Sequence, residues 1–149
     1  MITIIEQDGK LVVSAPYISE LPEKFKIIDG RWNKPFWEFS NNNTTRENLQ
    51  KCISQIFGFE FGSPTAAAVV TVTQDIYLGG QPAILAGFVL AHPWIKNVGA
   101  KIGAGVTLSD NKISPAKNGL TKIEKGTKFF IKNFPVRFTA VDRYSVKFQ

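Results

Sequence analysis

Apolar positions in the first part of the chain follow two periods in turn. Residues 2–6 (ITIIE) and 10–15 (KLVVSA) are β-branched and alternating, with Leu11 and Val13 on one face and Val12 on the other. Asp8-Gly9 between them predicts a tight hairpin turn, and Pro16 ends the second strand. Leu21, Phe25 and Ile28 then fall at i, i+4 and i+7, the stripe of a short helix. Ser19 stands where an N-cap is wanted. Glu20 and Glu23 suit the positive end of the helix, Pro22 is tolerated in its first turn, and Asp29-Gly30 stops it. Residues 31–35 read as a turn, and Phe36-Trp37-Glu38-Phe39 as an aromatic strand. After a polar turn at 40–43, Thr44 or Thr45 is placed to cap a second helix, with Glu47 at capping-box spacing. Leu49, Ile53, Ile56 and Phe57 form its inner face, and Gly58 closes it.

The predicted order over residues 1–60 is therefore ββαβα. Beyond a boundary at 59–64 the helical period disappears. Residues 66–73, 82–91, 101–108, 128–131, 136–140 and 144–148 read as short strands, with Gly87 marking a bulge in the second of these and a polar loop spanning 109–119. The expected fold class is α+β: a ββαβα module over 1–60, followed by a small antiparallel β-barrel or sandwich over 64–149.

Composition supports a packed core, with 44% hydrophobic and 20% charged residues. No apolar run is long enough to span a bilayer, and the first residues lack the charge and apolar pattern of a signal peptide, so a cytoplasmic protein is expected. The single cysteine, Cys52, excludes an internal disulfide and a cysteine-rich metal site, and its place inside the second helix suits a small core residue. No motif asks for a cofactor.

Charge changes the picture more. The formal net charge of +6 arises wholly after residue 64. There Asp75, Asp110, Glu124 and Asp142 face Lys96, Lys101, Lys112, Lys117, Lys122, Lys125, Lys128, Lys132, Arg137, Arg143 and Lys147. A one-sided basic surface attracts polyanions, of which nucleic acid is the commonest in a cytoplasm; the same lysines would also serve as a plain solvated surface.

Three local patterns bear on chemistry. His92, the only histidine, could join Asp75, Asp110 or Asp142 in an enzyme site, or be structural beside Pro93. The glycine-rich run at 99–105 matches neither the P-loop nor the dinucleotide fingerprint and reads better as a strand where backbones approach closely. Arg31-Trp32-Asn33-Lys34-Pro35-Phe36-Trp37 interleaves cations with aromatics, as a surface that stacks bases and pairs phosphates would. Trp37 and Phe39 suit a core, and Trp32, beside Arg31 and Lys34, suits exposure.

Val12-Val13, Tyr17, Lys24-Phe25-Lys26, Gly30-Arg31-Trp32, Trp37-Glu38-Phe39 and the helix at 49–56 together resemble the HARP module, the short repeat of SNF2-class annealing helicases. The resemblance covers residues 10–58, and no helicase motor accompanies it. It implies a ββαβα scaffold that in relatives recognises branched or single-stranded DNA. The expectation is a non-catalytic nucleic-acid-binding protein, binding DNA, of a size and charge that fit accessory factors of replication, repair or mobile elements. The candidate contacts are Arg31, Trp32, Lys34, Lys96, Lys101, Lys112, Lys117, Lys122, Lys125, Lys128, Arg137 and Arg143. A protein–protein interaction module, using the aromatic strand and the apolar β surface, and a small enzyme with its site in the β region stay open beside it.

Overall fold

The computed structural model describes residues 1–93, 100–110, 112–115 and 120–149. Lys96 and Lys117, two of the expected contacts, lie outside the described residues, as does Trp94. The fold is α+β. Its first sheet has the strand order β1-β2-β4-β3, built from β1 (Thr3–Gln7), β2 (Lys10–Ser14), β3 (Arg31–Asn33) and β4 (Phe36–Ser40). Helices α1 (Leu21–Ile27) and α2 (Asn43–Phe57) cover one face of it.

Leu11, Val13, Trp37 and Phe39 point to the helices, as the alternation requires, and meet Leu21, Phe25, Leu49, Cys52, Ile53 and Phe57. Phe25 stands edge-on to both Trp37 and Phe39, with ring centroids 5.4 and 5.3 Å apart. Each such buried ring contributes about 1.5–3 kcal/mol through removal from water.

Local details depart from the expectation in three places. Arg31–Asn33 pairs with β4 as a strand, so the order is ββαββα, because Lys34-Pro35 supplies the turn that residues 31–35 were expected to form. The N-cap of α1 is Glu20, without a side-chain cap bond, in place of Ser19. Asn42, in extended conformation, caps α2: its Oδ1 accepts the Thr45 amide at 2.8 Å, taking the place expected for Thr44 or Thr45. Gly58 ends α2 at φ 72°, as its position predicted.

The second half builds three further sheets. The largest has the order β10-β13-β5-β14, from β5 (Thr65–Val72), β10 (Val106–Asp110), β13 (Lys128–Pro135) and β14 (Tyr144–Phe148). A second joins β11 (Ile113–Pro115), β12 (Thr121–Ile123) and β6 (Ile76–Leu78). A third joins β7 (Ala83–Leu85), β8 (Phe88–Pro93) and β9 (Ala100–Lys101). Their inner faces share one core, with Ala68, Val70, Leu90, Ile123, Phe129, Ile131 and Phe134 fully buried. The sheets pack as a sandwich and do not close into a barrel.

Residues 82–91 make a hairpin and not one bulged strand. The chain reverses at Ala86-Gly87, at φ 48° and 79°, while the bulge lies between Ala83 and Ile84. The strand expected at 101–108 is divided between β9 and β10. Residues 133–135 continue β13 across a register shift between Ile131 and Phe134, and 136–140 contribute only a bridge from Phe138 to Phe59. Strands β6, β11 and β12 are additional to the expected set.

The two cores meet. Phe59 packs against both, and Ile84 of β7 packs on the first. The Ile2 side chain lies 2.9 Å from where a Cβ on Gly87 would stand. Arg137 and Glu60 pair across the join at 4.0 Å. No helix among the described residues is long and apolar enough to cross a membrane.

Candidate nucleic-acid interface

Two surfaces are candidates, one carrying Arg31, Trp32 and Lys34 of the expected contacts and the other Lys128. The first is the β3–β4 hairpin. In the sequence its cations and aromatics are interleaved, but a strand sends successive side chains to opposite faces. Trp32 therefore pairs with Trp37 on the helix side, ring centroids 5.4 Å apart, and stays 53% exposed at the sheet edge. Arg31, opposite Glu38, and Phe36, opposite Asn33, share the other face. Lys34 sits in the turn.

Glu38 accepts Asn33 Nδ2 at 2.9 Å and Lys10 Nζ at 3.4 Å, and these bonds, Asn33's first, hold its carboxyl below the usual range. Arg31 reaches the rim of a cleft of about 950 Å³ that Lys10 and Lys26 line with Asp8, Asp29 and Glu38. The mixed charge of that cleft does not favour a polyanion.

The second surface is the outward face of the β10-β13-β5-β14 sheet. Register and alternation place Lys128 and Phe130 of β13 on it, and Lys132, exposed at the start of the register shift, lines the same groove as Phe130. Val69 and Thr71 of β5, Ser145 and Lys147 of β14, and Thr107 of β10 join them. Thr107, Lys128, Lys132, Ser145 and Lys147 are exposed, while Val69, Thr71 and Phe130 are half-buried. Phe130 thus lies between Thr107 and Val69, with a lysine two residues away on either side along its own strand. Asp110, opposite Lys128, is the acid at the margin of this face. A groove of about 400 Å³ runs beside the ring, lined by Thr107, Phe130, Lys132 and Asn133 and, for the rest, by Met1, Phe88, Gly105 and Val106.

The remaining cations are dispersed. Lys122 sits between Asp75 (3.6 Å) and Glu124 (3.8 Å), and its ammonium lies 6.0 Å from the centre of the Tyr77 ring, so its charge is already engaged. The Lys125 amide donates to Asp75 at 2.8 Å, the main cause that holds the Asp75 carboxyl low. Arg137 pairs with Glu60. Lys101 lies opposite His92 on β9. Lys112 packs near Gly126, in the turn that leads into β13, and Arg143 lies just before β14.

Of the expected contacts among the described residues, the register places Lys128 on the sheet face. Phe130, Lys132 and Lys147 were not singled out, although the alternation in Lys128-Phe129-Phe130-Ile131-Lys132 carries the signal.

His92, Asp75, Asp110 and Asp142 line neither of the two clefts described above. The His92 ring is exposed, its Nδ1 2.9 Å from the Pro93 carbonyl oxygen. Asp75 is committed to Lys122 and Lys125. Among the described residues no cluster of three or more histidine, cysteine, aspartate or glutamate side chains could hold a metal ion. Burial raises the Cys52 thiol, which keeps it protonated and unreactive in the core.

No protein-family model matches the chain, and no curated protein or solved structure is significantly similar to it.

Proposed function

We propose that the protein binds nucleic acid without catalysis, through the outward face of the β10-β13-β5-β14 sheet. The observation that carries this reading is the convergence of Lys128, Lys132 and Lys147 around a largely polar, acid-poor sheet face. Lysines contact phosphates as point charges and without regard to sequence. DNA is the expected ligand.

The experiment is a fluorescence titration with labelled single-stranded, duplex and forked DNA at two salt concentrations. Binding should weaken steeply with salt, and three phosphate contacts correspond to a log–log slope of about −2 on a single strand. Replacing Lys128, Lys132 and Lys147 by glutamine should abolish most of the affinity. Replacing Lys122 should leave it nearly unchanged, because that ammonium is held by two carboxylates. No binding to any of the three DNAs at low salt would remove the reading.

A protein partner is the second reading, and one feature favours it. Strand β3 is an open sheet edge that carries Trp32 at 53% and leads to Phe36 at 41% exposure. Salt-insensitive capture of a partner, lost in Trp32→Ala, would support it.

A further inference from the structure

We infer that the sheet face is selective for single-stranded nucleic acid, with one base stacked on Phe130 in the groove beside it. The inference rests on the nucleic-acid reading above and adds the form of the ligand. Phe130 is the aromatic residue among the side chains placed on this face. Its cross-strand neighbours, Thr107 and Val69, are short, so no long side chain opposite it stands over the ring. The ring is half-buried.

In a duplex the bases are stacked on one another and their faces are closed. An aromatic ring can stack on a base face only if that base is already unpaired. A duplex laid on this face would meet the lysines alone. A single strand could place successive phosphates against Lys128 and Lys132, which flank the ring along β13, with Lys147 two strands away. The groove is about 400 Å³ in volume, within the range of small-ligand sites. Its Thr107 hydroxyl and Asn133 amide can hydrogen-bond the edge of a base stacked there. Stacking tolerates every base, so little sequence preference is expected.

The test compares a labelled 15-residue oligothymidylate with a 15-base-pair duplex at low salt, using the full chain. Three variants are used: Phe130→Leu, which keeps an apolar side chain and removes the ring face; Phe130→Trp, which restores a ring; and the triple lysine-to-glutamine variant. The single strand should bind the native protein at least about tenfold more tightly than the duplex. Phe130→Leu should weaken single-strand binding about tenfold, the scale of one stacked base, and leave duplex binding unchanged. Phe130→Trp should retain the affinity, with its emission quenched on binding.

Equal affinity for the two DNAs, or single-strand affinity unaltered in Phe130→Leu, overturns the inference. If the triple lysine variant still loses binding in that case, the polyanion reading survives. No binding of the native protein to either DNA removes both.

Discussion

Gly103 has no room for a side chain. A Cβ there would stand 2.2 Å from the Val89 carbonyl oxygen, and the Gly103 amide donates to that same oxygen at 3.1 Å. Gly103→Ala must push β8 away from the turn, and we expect a loss of about 2–4 kcal/mol in denaturant unfolding, large for one methyl group. The reading of residues 99–105 as a close backbone approach, and not as a phosphate loop, meets this contact.

Asp75 is a residue whose role the sequence could not carry. Its carboxyl is held low first by the Lys125 amide and then by the charges of Lys122 and Lys125. A lowered folded-state value means that the ion contributes stability above the ordinary carboxylate range, and that this stability is lost as pH falls through the lowered value. Asp75→Asn should therefore flatten the acid limb of a stability–pH curve, and leave stability above it reduced by a near-constant amount. Nothing local in Thr73-Gln74-Asp75-Ile76 announces this role, because Lys122 and Lys125 arrive from far along the chain.

At the level of elements, legibility followed the polar signals. Asp8-Gly9 and Gly58 are marked by residues that tolerate positive φ, and both punctuate the chain where expected. The β7–β8 turn is built from Ala86-Gly87 inside an uninterrupted apolar run, so it read as a bulge in one strand. Strands β6, β11 and β12 span three residues each, too short for alternation to declare itself. The misplaced cap of α2 has a direct test. Asn42→Ala removes the acceptor of the Thr45 amide and should cost about 1 kcal/mol, whereas Thr44→Ala should cost much less. Thermal unfolding of the two variants compares them.

For the whole molecule, the charge asymmetry was plain in the sequence, but which lysines share a face depends on strand order and register. Lys128 and Lys147 lie on different strands, both paired to β5, an arrangement no local pattern reports. The same long-range geometry joins the two cores. Phe59 packs on both, Ile2 reaches Gly87, and Ile84 packs on the first core. Unfolding by denaturant should therefore be one cooperative transition by circular dichroism and by hydrogen exchange. Phe59→Ala should lower its midpoint and split it into two, since it removes the shared ring while leaving each core its own contacts.

Trp32 and Trp37 lie side by side on one hairpin, Trp37 sealed in the first of these cores and Trp32 half open to water at the sheet edge beside it. With Trp94 changed to phenylalanine, tryptophan emission would come from this pair alone. The protein would then carry an intrinsic optical probe confined to the β3–β4 hairpin, on different strands from Phe130. A spectral shift that an oligonucleotide produces in this protein and equally in its Trp32→Phe form would mean that the signal had travelled through the Phe59 join to Trp37, whereas a silent spectrum beside measurable binding would mean that the two cores respond separately.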